Sequence, residues 1–213
     1  HNARLLSRFA GLDGQAEVRD WAALAAQKDE LVAALRSAKY VDVLPAYAGI
    51  SYVEGRARLT SDGVVINGDR LPTGKTIIAT GARAALPDIP GIDDIEALTS
   101  TTALELDALP RSMLVIGGGY IGVELAQMFA RMGVEVTLVC RTRLLPEAEP
   151  EISAALTEIF RAEGVDVLDG ASYRGLAKTD AGVSLTFERD NERRTIEVER
   201  VLAATGRRPN SDG

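Results

Sequence analysis

Three glycines and two arginines have types and spacing that could do chemistry. Gly117, Gly119 and Gly122 stand in the order G-x-G-x-x-G within the run IGGGYIGVELA. In a dinucleotide-binding turn the first glycine permits a tight turn. The second lets a pyrophosphate reach the backbone, because no Cβ intervenes. The third lets the following helix pack closely on the strand before it. The free N–H groups and positive dipole end of that helix would face the phosphates. A lone motif of this kind is weak, so its flanks matter. Downstream, at positions 140–143, the chain reads Cys140, Arg141, Thr142 and Arg143. NAD sites commonly place an acidic residue roughly 20 residues past the motif, on the ribose 2′-hydroxyl. Two guanidinium groups instead match a 2′-phosphate in charge and geometry. The expected coenzyme is therefore NADP, the alternative reading of Arg141 and Arg143 being a solvated basic loop.

The flanking sequence supplies the elements such a turn needs. Met113 to Ile116 is a continuous apolar run, as a strand buried on both faces should be. Val123, Leu125, Ala126, Phe129 and Ala130 give an apolar stripe at helical spacing, and Gly133 stops it. Val134 to Val139 reads as a second strand rich in β-branched residues. A second amphipathic helix is expected over Glu151 to Glu163, with Ile152, Leu156, Ile159 and Phe160 inward, followed by a strand from Val165 to Leu168. Ser172 to Lys178, Val183 to Glu188 and Thr195 to Val198 read as hairpin strands around a solvated, charged tip, RDNERR. Val201 to Ala204 is the last buried strand.

Upstream, Asp20 to about Tyr40 has a helical pattern, with Leu24, Leu31 and Leu35 expected in a core. Residues 50 to 80 change period. Runs such as ISYVEGRARL, VVING and KTIIATG are separated by Ser-Asp-Gly, Asn-Gly-Asp and Pro-Thr-Gly, which are turn signals. A meander of short antiparallel strands follows, its last run ending with Ile77 to Ala79. Pro87, Pro90 and Gly91 mark a linker-like segment, and Thr99 to Leu109 reads as a short helix. IIATGA at 77 to 82 and LAATGR at 202 to 207 are near repeats that bracket the glycine motif. They predict a dinucleotide-binding unit inserted into another domain.

Composition limits the alternatives. The 213 residues can bury a core, and the formal net charge of −7 argues against general nucleic-acid binding. No apolar run approaches the roughly 18 residues of a membrane-spanning helix, so no membrane partner is expected. One His and one Cys do not make a metal-ligand set, and a single cysteine cannot form an internal disulfide. His1 carries almost no information, because a terminal His can be a tag remnant.

Taken together, the ATG segment followed by P-x-I-P-G, then GGGYIGVELA, then ATGRRPN, resembles the flavoprotein pyridine nucleotide-disulfide oxidoreductases. The likeness covers nearly the whole chain and is greatest to the mercuric reductase branch. Dihydrolipoamide dehydrogenase-type enzymes, which normally use NAD, are the alternative within the family. A non-catalytic nucleotide-binding module is the alternative outside it.

The resemblance implies an α/β fold: a Rossmann-type, three-layer FAD/NAD(P)-binding arrangement of parallel sheet, helices and antiparallel meander. It implies that residues 1–108 are the C-terminal part of a flavin domain. Residues 109–206 would be the NAD(P) domain, and 207–213 a return segment. The redox cysteine pair and dimerisation domain of the family have no counterpart here, and Cys140 matches no redox cysteine. The chain is thus expected to be the central part of a larger cytoplasmic, homodimeric enzyme using FAD and NADP, with no catalytic residue of its own. By the same resemblance Gly117, Gly118, Gly119, Tyr120, Ile121 and Gly122 would hold the nicotinamide dinucleotide. Tyr120 would cover the nicotinamide pocket, with Glu124 near it and Gly206 against the nucleotide. Arg141 and Arg143 would take the 2′-phosphate, and Ala57 and Gly81 would contact the flavin.

Overall fold

A computed structural model describes residues 18–211. The chain forms two compact units. One holds Ala84–Arg208 and the described residues up to Ala22; the other holds Ala23–Arg83 and the chain from Pro209.

The smaller unit begins in helix α1 (Trp21–Arg36), followed by a π turn at Ser37–Val41 and a 3-10 turn at Leu44–Ala46. Three short antiparallel strands follow: β1 (Ala57–Thr60), β2 (Gly63–Ile66) and β3 (Asp69–Leu71), in the order β1-β2-β3. Asn67 and Gly68 turn the chain between β2 and β3 with φ of 54° and 96°, the pair of positive values that a two-residue hairpin turn needs. The expected meander is present but shorter than the apolar runs suggested. Residues 50–56 and Ile77–Ala79 form no strand, and Ile77 and Ile78 are 91% and 67% exposed. The expectation of a core stripe on α1 also fails, since Leu24, Leu31 and Leu35 are all exposed. Helical spacing creates an apolar face, but burial needs a second surface to close over it, and among the described residues none does. The strand β4 (Ala82–Ala84) carries the chain onward.

The larger unit is where the core sits. Its elements are β5 (Ser112–Ile116), α2 (Tyr120–Arg131), β6 (Glu135–Val139), α3 (Pro150–Ala162) and β7 (Asp166–Leu168). Then come β8 (Ser172–Thr179), β9 (Gly182–Arg189), β10 (Glu192–Val198) and β11 (Arg200–Ala203), and β12 (Arg207–Pro209) begins in this unit and ends in the smaller one. A parallel sheet runs β11-β5-β6-β7, and an antiparallel sheet runs β10-β9-β8. Val115 lies between Leu202 on β11 and Leu138 on β6.

Side chains alternate across a strand, and both faces of the parallel sheet are covered. Met113 and Val115 join Val123, Ala126, Phe129 and Phe160 from the helices. Leu114, Ile116 and Val139 join Leu176, Leu185 and Phe187 from the antiparallel sheet. That is why the strand reads as unbroken apolar sequence. The result is the expected α/β fold of three layers, with helices, parallel sheet and antiparallel meander.

Two details differ from expectation. Between residues 99 and 109 only Thr102–Glu105 is helical, as a 3-10 turn. On α3, Phe160 is buried but Ile152 and Ile159 are about half exposed. The buried side of this helix runs through Ser153 and Phe160, seven residues apart. Ile152 and Ile159 each precede one of these by one position and so sit about 100° round the axis. Arg131, at the end of α2, grips Glu163 just beyond α3 with two bonds of 2.8 and 2.7 Å, which ties the helix ends together.

Candidate dinucleotide-binding site

The three glycines of the motif do three different things. Gly117 has φ +122°, and a Cβ there would lie 2.4 Å from the Ala204 carbonyl oxygen. Its N–H donates to the Val139 carbonyl at 2.9 Å, while Ala204 N–H donates to the Ile116 carbonyl at 2.8 Å. The end of β5 is therefore clamped between β6 and the segment after β11. Gly122 sits inside α2, where a Cβ would be 2.0 Å from the Gly117 carbonyl oxygen; its absence lets the helix start against the turn. Gly119 is the opposite case. It has ordinary extended geometry, φ −77° and ψ −180°, as the N-cap of α2. A Cβ on it would meet nothing within 4 Å. The space it leaves is open rather than filled by protein, as the close approach of a ligand requires.

That space is a cleft of about 390 Å³ at the carboxyl ends of β5 and β6. Gly117, Gly118, Gly119, Tyr120 and Ile121 form one side of it, and Gly206 another. Gly206 has φ +140° and would place a Cβ in open space. The loop after β6 contributes Arg141, Thr142 and Arg143. The first N–H groups of any helix lack intrahelical acceptors, and no side chain caps this one. A ligand phosphate beside Gly119 would meet those donors and the positive end of the helix dipole.

The two arginines are held differently. Arg143 Nη2 donates to the carbonyls of Pro146 and Ala148, at 3.0 and 2.9 Å. Its Nη2 is thus tied to the loop that follows, while its buried Nε has no hydrogen-bond partner, and Leu145 N–H of that loop donates to the Gly118 carbonyl at 2.7 Å. Arg141 is exposed, and its Cζ lies 6.0 Å from the centroid of the Tyr173 ring. Tyr173, on β8, also lines the cleft and donates its hydroxyl to Val139 at 3.2 Å. Burial and the neighbouring Cys140 raise the Tyr173 pKa, with Arg141 pulling back. Cys140 is 3% exposed. Burial, then the Asp169 charge, pushes its thiol from 9.0 up to about 11. It is a packed, protonated thiol rather than a nucleophile.

Of the residues singled out in the sequence, Gly117 to Ile121, Arg141, Arg143 and Gly206 line this one cleft. Gly122 is buried behind the turn and Glu124 is exposed on α2; neither is in the lining. Ala57 and Gly81 belong to the other unit, where both are exposed. Sequence reasoning passed over Tyr173. Its only signal was an aromatic residue just past the third strand of the parallel sheet, and periodicity does not reveal which side chain returns to the glycine turn. Among the described residues no group of three or more His, Cys, Asp or Glu could hold a metal ion. No helix among them is long and apolar enough to cross a membrane.

The three-layer fold and the glycine-lined cleft define a Rossmann-type dinucleotide-binding protein. Over residues 9–213 the chain matches the family described as pyridine nucleotide-disulphide oxidoreductase, and it belongs to that family. It is 39% identical over 206 residues to a mercuric reductase of Staphylococcus aureus, covering 96% of this chain and 38% of that protein. It is 40% identical over 220 residues to a mercuric reductase of Streptomyces lividans, covering all of this chain and 46% of that one. Among solved structures it resembles the HOCl-induced flavoprotein disulfide reductase RclA from Escherichia coli. The TM-score is 0.79 at 30% identity, over 91% of this chain and 44% of that one. The chain thus spans about two fifths of the length of these relatives.

Proposed function

We propose that the cleft binds NADPH, and that the chain supplies the NAD(P) domain and part of the flavin domain of an FAD-dependent reductase of the mercuric reductase type. One observation carries the reading: the open glycine of the turn and the exposed guanidinium of Arg141 line the same cleft. The names of the curated relatives support the choice within the family. The residues fit the group on geometry, since Gly119 and Gly206 would each leave open space where a side chain would stand.

In this reading Gly117 to Ile121 receive the pyrophosphate at the start of α2, with Gly122 holding that helix in place. Arg141 meets the 2′-phosphate. Arg143, already bonded to Pro146 and Ala148, keeps the loop in shape more than it contacts the phosphate. Tyr120 and Gly206 flank the nicotinamide end, Glu124 stands one turn into α2, and Ala57 and Gly81 belong with the flavin. Residues 1–108 would then be flavin domain, 109–206 the NADP domain and 207–213 the return segment. When bound, the nicotinamide and flavin would supply the two-electron chemistry that takes Hg(II) to Hg(0). The whole enzyme would be a cytoplasmic homodimer.

The test is coenzyme titration of wild type and Arg141→Ala at one ionic strength, because salt screens the charge contribution. A hydrogen bond to a charged group is worth about 1.5 to 3 kcal/mol. NADPH affinity should therefore fall roughly tenfold to a hundredfold with NADH almost unchanged, and Arg141→Glu should fall further. Equal weakening of both coenzymes would make Arg141 a solvated loop residue and remove the preference for NADP.

A further inference from the structure

We propose that Tyr173 is a positioning residue for coenzyme choice, its ring holding the Arg141 guanidinium where a 2′-phosphate would be met. The inference rests on the NADPH reading of the cleft and assigns part of that specificity to β8, in a different sheet from the glycine turn. Three observations support it. The ring itself is fixed, because the Tyr173 hydroxyl donates to the Val139 carbonyl, which also accepts the Gly117 N–H. One carbonyl thus joins the tyrosine to the first glycine of the motif. The base of β8 is fixed to the arginine loop, since Gly170 N–H donates to Thr142 and Ala171 N–H donates to Cys140, at 2.9 and 3.0 Å. The ladder shift between Tyr173 and Gly175 in the pairing with β9 changes the strand's course at this residue.

The guanidinium of Arg141 then lies at cation–π distance from a ring anchored through its hydroxyl. Arg143 is held by carbonyl oxygens; for Arg141 the aromatic face plays that part. An arginine free to sample its rotamers would lose that freedom on meeting a phosphate, whereas one already resting on a ring loses less. NADPH and NADH differ only in the 2′-phosphate, so the effect should appear in their affinity ratio.

The experiment is a double-mutant cycle on Tyr173 and Arg141, read as dissociation constants for NADPH and NADH in the purified protein. An exposed cation–π contact is worth about 0.5 to 1 kcal/mol, so Tyr173→Leu should weaken NADPH roughly two- to fivefold and leave NADH unchanged. Tyr173→Phe keeps the aromatic face but loses the hydroxyl bond to Val139, so it should weaken NADPH no more than Tyr173→Leu does, and only while Arg141 is present. In the Arg141→Ala background Tyr173→Leu should have no further effect. The Val139 carbonyl keeps its Gly117 donor in every variant, and thermal melts check that each is folded. Equal weakening of both coenzymes by Tyr173→Leu, or the same NADPH loss without Arg141, would overturn the inference while leaving the NADPH reading intact. A wild type that binds neither coenzyme, or both equally, would overturn the two together. Should Tyr173→Leu fail to fold, a Tyr173→Phe variant that weakens NADPH and NADH alike, or that weakens NADPH equally without Arg141, would overturn the inference.

Discussion

Phe129 on α2 and Leu31 on α1 both sit on apolar stripes at helical spacing, yet Phe129 is 0% exposed and Leu31 is 59% exposed. The same contrast divides the two units. Every buried apolar side chain among the described residues lies between Pro87 and Ala203, and none lies in Ala23–Arg83. The difference is not one of periodicity. The stripe of α2 faces a parallel sheet whose own far side is covered by β8 to β10, so each layer finds a partner. The stripe of α1 faces no described layer. Amphipathic sequence states which side wants burial, and the surrounding topology decides whether burial happens.

The contrast can be broken by truncation. Phe129→Ala in the 213-residue chain should cost about 3 to 5 kcal/mol of stability, the usual cost of emptying a core phenylalanine site. Leu31→Ala should change it by less than about 0.5 kcal/mol, as an exposed site does. Urea denaturation of both variants measures this, and similar losses would mean that α1 is packed in solution. A smaller effect comes from overfilling the core. In Gly122→Ala the new methyl would stand 2.0 Å from the Gly117 carbonyl oxygen, so α2 must shift. Overpacking of this kind costs about 1 to 3 kcal/mol, and the melting temperature should fall accordingly.

The smallest effect is the pH dependence of Cys140. Its folded-state pKa is raised from 9.0 to about 11, so between these values the folded chain keeps a proton that the unfolded chain has released. The contribution to stability is fully present below pH 9 and fades as pH rises toward 11. Wild type should therefore lose stability relative to Cys140→Ala across that window, read from urea midpoints at successive pH values. Parallel profiles would place the thiol in a more solvated site.

Much of the larger unit was legible in the sequence because its signals were local and mutually consistent. The apolar strand, the glycine spacing and the α2 stripe all point to one supersecondary unit, and Asp190 and Asn191 turn the charged hairpin tip with φ of 53° and 62°. Gly119 and Gly122 could be assigned different roles from spacing alone, and the open space at one and the crowding at the other fit those roles. Contacts distant in sequence were not legible. Nothing in SYRG says that Tyr173 donates back to Val139, 34 residues earlier. Two arginines in one tetrapeptide look equivalent until Arg143 is seen bonded to its own loop. The face of α3 was misread because neighbouring apolar residues differ by about 100° around a helix, and the sequence does not mark which of Ile159 and Phe160 the sheet will cover.

The claim that the cleft takes a dinucleotide at its glycine turn rests most directly on Gly119, and one substitution tests it. Gly119→Ala demands no unusual backbone, since φ is −77°, and its methyl would touch no protein atom. The variant should therefore melt at the wild-type temperature. The same methyl would stand where the pyrophosphate approaches, so NADPH and NADH should both bind more than about tenfold more weakly, a loss above about 1.4 kcal/mol. A folded Gly119→Ala that binds NADPH with wild-type affinity would contradict the placement of the coenzyme in this cleft.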